Sequence, residues 1–304
     1  MTNGWVDAMR AGDFARAWVI NDRDLAQLAL QPKHTGPRHL QRIWRGEPLA
    51  GKRVLVRCYH GLGDTIQFLR FMRPLRDTSR HVTVWCQREL LPLVERSPGV
   101  DRAIALHDGA PETGFDVDIE IMEVPHAIKA TRKQVVTIAP YVTLPPSEIP
   151  ECIGGEGLSV GLVWEVGAWD KRRSIPSALL HRLSVTGVTL YSLQLGAQQS
   201  DLAKVGARDV STPDIISLGH RLRRLDLVIC VDTMVAHLAG AIDCEAWILL
   251  HSDCDWRWPL SGSRSLWYPN LRLFHQTKPG EWEPVIKKVA ECLENRAGLS
   301  PGTA

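Results

Sequence analysis

The sequence predicts an α/β protein of two similar units, each a parallel sheet with helices on both faces, behind a short helical extension. Three observations predict it. From Val54 onward, short apolar strands alternate with helical patterns, the signature of parallel sheets covered by helices. The alternation stops at a proline- and glycine-rich stretch, residues 140–157, and restarts behind it. At 304 residues the chain is long for one domain and comfortable for two of roughly 100–200 residues each. The division that follows is a helical N-terminal extension over 1–48, a first α/β unit over 49–150 and a second over 151–304.

The elements follow in order. Trp5, Ala8, Met9, Phe14, Ala17 and Trp18 recur at helical spacing, broken at Gly12-Asp13, and Leu25, Leu28 and Leu30 continue the pattern. This reads as a small helical hairpin, followed by a polar, proline-containing connector over 31–48. Strands are expected at 54–58, 81–86, 102–106 and 116–121, with helices near 65–75 and 89–96. Behind the linker, strands are expected at 159–164, 189–193, 227–231 and 246–250, and helices at 176–183, 213–223, 233–242 and 284–293. Two such units on one linker leave a central cleft. Ligands of open parallel sheets sit beyond the carboxyl ends of the strands, often over helix N-termini.

Composition excludes several classes. A hydrophobic content of 44% with 23% charged residues is that of an ordinary globular protein. A net charge of +2 is too small to argue for nucleic acid or an anionic membrane. Seven cysteines, an odd number without a CxxC pair, read as scattered reduced thiols of a cytoplasmic protein. The N-terminus lacks the basic start and apolar core of a secretion signal, and no apolar run approaches the ~20 residues that span a bilayer. Core packing explains most of the eleven tryptophans more cheaply than a cleft does.

Four segments lie at strand ends and could carry chemistry. In the first, VLVRCYHGLGDTIQFL, an apolar strand stops at a glycine turn, Gly61-Leu62-Gly63, and a helical pattern with Ile66, Leu69 and Met72 begins. Glycines let a backbone turn tightly and approach a ligand, and the opening amides of a helix can receive an anion or a sugar hydroxyl. Asp64 at that mouth reads either as a helix cap or as a carboxylate with chemistry to do. No Lys-Ser/Thr follows the glycines and no GxGxxG fingerprint is completed, so neither a phosphate loop nor a dinucleotide site is present.

The second segment, WEVGAWDKRRS, sets Lys171, Arg172 and Arg173 in a loop after a strand. Such groups bind phosphate, arginine bidentately, although a basic triplet is equally a solvated loop. In the third, VDTMVAHLAGA, Asp232 closes a buried strand and Thr233 opens a helix rich in small residues. The amides around Thr233–Val235 and the helix dipole would favour a pyrophosphate by ~0.3–1 kcal/mol per charge at exposed sites. His237, one turn in, reads as a core histidine or as a neighbour of that anion. The fourth, residues 251–276, holds Asp253, Asp255, Trp256, Trp258 and Trp267. Its rings either wall a ligand or pack the loop down. No histidine–cysteine spacing suits a metal.

Together GLGDTIQFLRF, VGLVW…RRSIP, DLVICVDTMVAHLAGA and DWRW…SLWYPNLRLF resemble bacterial glycosyltransferases of the ADP-heptose:lipopolysaccharide heptosyltransferase type, in particular the branch often fused to tetratricopeptide repeats. The resemblance runs from Leu49 to the C-terminus, and the 5–30 hairpin resembles a degenerate single repeat. It implies a GT-B architecture of two Rossmann-like domains, the first holding the acceptor and the second the nucleotide-sugar. It implies inversion at the anomeric carbon with no cofactor and no obligatory metal. Asp64 would then be the general base, its basicity raised in a closed cleft, with Gly61, Gly63, Thr65 and Gln67 forming the acceptor-side turn. On the donor side stand Trp164, Lys171 and Arg173, the Asp232-Thr233-Met234-Val235 turn, and His237. The acceptor would be a glycan, a small molecule or a protein hydroxyl.

One departure stands out. The family usually carries a small residue after the tryptophan of VGLVW, where this chain has Glu165. A carboxylate there would repel donor phosphates or select a different donor. The rivals to a sugar transferase are an inactive nucleotide-sugar-binding or scaffold protein of the same fold and a GT-B-like epimerase, which would yield free nucleotide without an acceptor.

Overall fold

A computed structural model describes residues 3–28, 31–136, 139–146, 153–154, 156–167 and 169–298. The chain divides into two compact units. The first comprises Met1–Leu144 with two later excursions, Trp256–Trp258 and Leu266–Tyr268; the second comprises Pro145–Asp255, Pro259–Ser265 and Pro269–Ala304.

The first unit opens with helices α1 (Asn3–Ala11) and α2 (Phe14–Leu28). Gly12 separates them with a left-handed φ of 69°, and Asp13 caps α2 by accepting from the Arg16 amide at 3.1 Å. Of the N-terminal pattern, Trp5, Ala8, Met9, Phe14, Ala17 and Trp18 are buried, while Leu25 and Leu28 are half-buried. Trp5 meets Trp256 edge-on at 5.0 Å, and Phe14 meets Trp267 at 5.9 Å. The indole of Trp18 donates to the Ala130 carbonyl at 2.8 Å. Losing that buried bond leaves the carbonyl without its donor, so Trp18→Phe should destabilise the protein by ~1–3 kcal/mol. A urea midpoint unchanged by the substitution would refute that weight.

Strands β1 (Arg53–Arg57), β2 (His81–Cys86), β3 (Arg102–Ala105) and β4 (Val117–Glu120) make a parallel sheet in the order β3-β2-β1-β4. The chain moves outward from β1 to β3, then returns to place β4 on the other side of β1. The C-terminal ends of β1 and β4 therefore flank the switch point, where open α/β sheets bind ligands. Around the sheet run α3 (Leu62–Phe68), α4 (Met72–Thr78), α5 (Leu91–Val94), α6 (Val124–Ala127) and α7 (Arg132–Val135). The helix expected over 65–75 starts earlier, at Leu62, and is divided by a 3-10 turn at Leu69–Phe71.

The tryptophans that could have walled a ligand are core residues of this unit: Trp256, Trp258 and Trp267 are all buried. Arg70 helps hold the second excursion. Its guanidinium donates to the carbonyls of Val135 (2.6 Å) and Trp267 (2.8 Å) and lies 4.6 Å from the Tyr268 ring centroid. This buried cation is stabilised by carbonyl dipoles and aromatic faces.

The second unit carries β5 (Leu158–Val163), β6 (Val188–Ser192), β7 (Arg208–Asp209), β8 (Leu227–Val231), β9 (Ala246–Leu250) and β10 (Leu271–His275), parallel throughout in the order β10-β9-β8-β5-β6-β7. Its helices are α8 (Gln199–Val205), α9 (Ile215–Arg224), α10 (Met234–Ala241) and α11 (Glu283–Arg296). The switch point lies between β5 and β8. Val160, Leu162, Ile229, Val231, Trp247 and Leu249 form the middle of the core, closed by Val285, Ile286 and Val289 of α11. The helix expected at 176–183 is a 3-10 helix, Ser177–Leu183, while β7, β10 and α8 were not anticipated. Residues 147–152 and 155 of the expected linker, and Leu30 of the hairpin pattern, lie outside the described residues. Among the described residues, no helix is long and apolar enough to cross a membrane, and no group of three or more His, Cys, Asp or Glu side chains could hold a metal.

Candidate functional site

In the first unit, α3 begins directly after the β1 end, with Gly61 as N-cap at φ −70°. The turn needs no left-handed glycine. What Gly61 provides is room, since a Cβ there would stand 3.2 Å from Asp64 Oδ2. Asp64 occupies the third position of α3 and reaches back to accept from the Gly61 amide at 2.9 Å, the return half of a capping box. Its other oxygen, Oδ1, receives the guanidinium of Arg257. Arg257 is 8% exposed and arrives on the first excursion, between two buried tryptophans. It stacks 4.4 Å from the Trp256 ring centroid and donates through Nε to Gln67 Oε1 at 2.6 Å. Asp64 is thus a cap and an ion-pair partner, yet its side chain stays 25% exposed and remains open to solvent.

Thr65 and Gln67 are both fully buried under the turn. Thr65 donates to Gln87 Oε1 at 3.0 Å, and Gln87 in turn donates to the His60 carbonyl at 2.7 Å, fixing the loop after β1. Both side chains brace the turn, Thr65 through Gln87 and Gln67 through Arg257. Nearby, the carboxyl of Glu120 at the end of β4 is 1% exposed and accepts from the Met122 amide at 2.7 Å. Burial pushes it well above the usual carboxyl range. His60 Nε2 lies 3.8 Å from Glu120 Oε2.

In the second unit the segments around Arg173 and Thr233 flank the β5/β8 switch point. Thr233 caps α10, its hydroxyl accepting from the Val235 amide at 3.3 Å, so that amide is not wholly free. The N–H of Met234, at the first helical position, has no acceptor within the helix. Arg173, from the β5 loop, donates to the Asp232 carbonyl at 2.9 Å and stands 3.7 Å from its carboxylate. Among the described residues, its buried Nε has no hydrogen-bond partner. His237 Nε2 lies 4.0 Å from Asp232 Oδ1, and both residues are buried. Asp232 therefore holds Arg173 at the helix mouth, and its own carboxylate is turned inward.

The basic triplet sorts itself. Arg172 is exposed and pairs with Asp170 at 2.9 Å and Asp253 at 3.2 Å. Lys171 braces its loop by donating to the Val166 carbonyl at 3.1 Å. Only Arg173 is drawn to the α10 mouth. Trp164 packs its ring in the core at 3% exposure. The exposed Glu165 is fixed by its amide, which donates to Gln194 Oε1 at 2.9 Å. Sequence reasoning missed Arg257, Gln194, His60 and Glu120. No spacing announces them, because each meets its partner through the fold.

No family model matches the chain. Solved structures resemble it in fold. A glycosyl transferase family 9 protein from Veillonella parvula aligns with a TM-score of 0.54, 13% identity, 82% of this chain and 99% of that one. The fold is that of the family 9 glycosyltransferases. E. coli ADP-heptose lps heptosyltransferase II gives 0.55, 13% identity, 80% of this chain and 99% of that one. E. coli heptosyltransferase WaaC, solved with ADP, gives 0.54, 12% identity, 81% and 100%. In sequence, the chain is 25% identical to Protein FlbA of Caulobacter vibrioides over an alignment of 291 residues, which covers 84% of this chain. It spans about half, 48%, of that relative's length. The α/β architecture implied by the sequence resemblance is thus found at the level of the fold.

Proposed function

We propose that the chain is an inverting, metal-independent glycosyltransferase, moving a heptose or other hexose-like unit from a nucleotide-diphosphate donor to a hydroxyl acceptor. One observation carries this reading: Arg173 is fixed at the N-terminal mouth of α10, at the β5/β8 switch point of a family 9 fold. That arrangement suits a leaving diphosphate, since a guanidinium and helix amides stabilise the charge as it develops. The WaaC structure solved with ADP supports an ADP-type donor. In this reading the chain is a GT-B protein with an extension over 1–48, an acceptor domain over 49–150 and a donor domain over 151–304, working in the cytoplasm. The acceptor oxygen bonds to the anomeric carbon as the carbon–oxygen bond to phosphate breaks. The electron pair leaves with the diphosphate, and the hydroxyl proton passes to Asp64.

The test is release of nucleoside diphosphate from a panel of nucleotide-sugars, with and without sugar acceptors and with chelator present. Release that requires divalent metal, or none with any donor, would overturn the reading. Arg173→Ala should weaken nucleoside diphosphate binding about tenfold, the lower end for hydrogen bonds to charged groups, and leave nucleoside binding nearly unchanged. Arg172→Ala, removing an exposed and already paired cation, should do little. Calorimetry decides, and equal loss of both ligands from Arg173→Ala would point to misfolding.

A further inference from the structure

A carboxylate at the end of a short side chain does not aim itself. The bond between Cβ and Cγ of an aspartate turns in a broad well, so a contact on one oxygen leaves the other free to swing. Asp64 has contacts on both. The Gly61 amide donates to Oδ2 at 2.9 Å, and the Arg257 guanidinium meets Oδ1. We propose that Arg257 is the positioning residue of the base, fixing the direction in which the Asp64 carboxylate meets an acceptor hydroxyl. The proposal rests on the transferase reading for its kinetic test and on the geometry of the first unit for its other test.

Three features of the first unit carry it. Arg257 is aimed as well as buried: Nε donates to Gln67 Oε1 at 2.6 Å while Nη2 meets Asp64, and Cζ lies 4.4 Å from the Trp256 ring centroid. Asp64 and Gln67 sit three positions apart on α3, on one face of the helix, where a planar fork spans both. The support behind the guanidinium is also fixed. Trp256 is buried, meeting Trp5 of α1 edge-on at 5.0 Å and Trp267 at 5.9 Å. The N-terminal hairpin thereby reaches the base through one tryptophan. Lastly, stability alone would not select this arrangement. Among the described residues, Gln67 Nε2 is buried without a hydrogen-bond partner, while its oxygen is turned to Arg257. A buried N–H left unpaired destabilises a fold, and such violations are expected where a site needs a fixed direction. The two contacts still leave the base free to act. A carboxylate offers about four lone-pair positions, and the Asp64 side chain is 25% exposed.

The kinetic test is a cycle of Asp64→Asn, Arg257→Met and the double variant. Arg257→Met alone should lower kcat about 10- to 100-fold at nearly unchanged KM, the scale of a reacting group displaced by ~1 Å. Added to Asp64→Asn, it should cost less than about twofold more, because the guanidinium acts through the carboxylate. Losses that multiply in the double variant, or wild-type turnover in Arg257→Met, overturn the proposal. If Arg257→Met melts below the assay temperature, Arg257→Lys takes its place in the cycle. It keeps the charge and loses the fork, so kcat should still fall about tenfold. Wild-type turnover in a folded Arg257→Lys overturns the proposal as well. The second test needs no substrate. Crystal structures of the wild-type chain and Arg257→Lys should show the Asp64 carboxylate in one orientation in the first, and turned or split between orientations in the second. An unchanged carboxylate overturns the proposal. If the wild-type chain transfers sugar from no donor, the transferase reading fails alone, and the crystal structures still decide the positioning.

Discussion

Asp64→Asn should keep the fold and the affinity for nucleoside diphosphate while lowering turnover by ~10²–10⁴-fold, the range of a lost acid–base catalyst. Asparagine still offers a side-chain oxygen to the Gly61 amide, so the capping half of the role survives. It cannot take a proton from an acceptor hydroxyl at neutral pH. It also removes the carboxylate that meets Arg257, and since Asp64 is 25% exposed the cost should stay below the 3–5 kcal/mol of a fully buried broken pair, at about 1–2 kcal/mol. A melting curve separates that loss from the catalytic one, because a folded variant with a thousandth of the turnover has lost chemistry. Near-normal turnover would leave Asp64 as a cap and as the partner of Arg257. The acceptor proton would then have to go elsewhere.

The sequence carried the strands well. The spans expected at 81–86, 227–231 and 246–250 are those of β2, β8 and β9, because continuous apolar runs between turn residues have few other uses. It carried β10 poorly. Leu271–His275 follows a tryptophan-rich loop, and the ring count drew attention from a short strand paired with β9. The same loop hid Arg257, whose partners Asp64 and Gln67 lie far away in sequence. Spacing rules see periodicity within an element, and an ion pair closed across the fold has none. The choice of Arg173 over Arg172 came from the family resemblance and not from spacing. Neighbouring cations in a loop differ only in direction, and direction comes from Asp232 and Asp170. The tryptophans show the opposite lesson. Their bland reading, rings packing a loop onto its unit, is the one the fold realises at Trp256, Trp258 and Trp267.

The donor side yields the second large effect. Met234→Pro should fold and yet bind nucleoside diphosphate about a hundredfold more weakly. The fold tolerates the change for two reasons. Met234 is the first residue of α10, where proline's fixed φ suits the helix and its missing N–H has no partner within the helix. Thr233 before it is already extended, at φ −141° and ψ 176°, the conformation that a following proline demands. Binding is another matter. A diphosphate at this mouth would draw on the Met234 amide, and a hydrogen bond to a charged group contributes ~1.5–3 kcal/mol, up to roughly a hundredfold in affinity. The Val235 amide is a poor substitute while the Thr233 hydroxyl holds it. Met234→Ala is the control, because it shortens the side chain and keeps the amide, so it should bind nearly as the wild type does. Calorimetry with a nucleoside diphosphate reads both. If a folded Met234→Pro protein keeps its affinity, the phosphates do not use the α10 mouth, and Arg173 with the β5 loop must hold them alone.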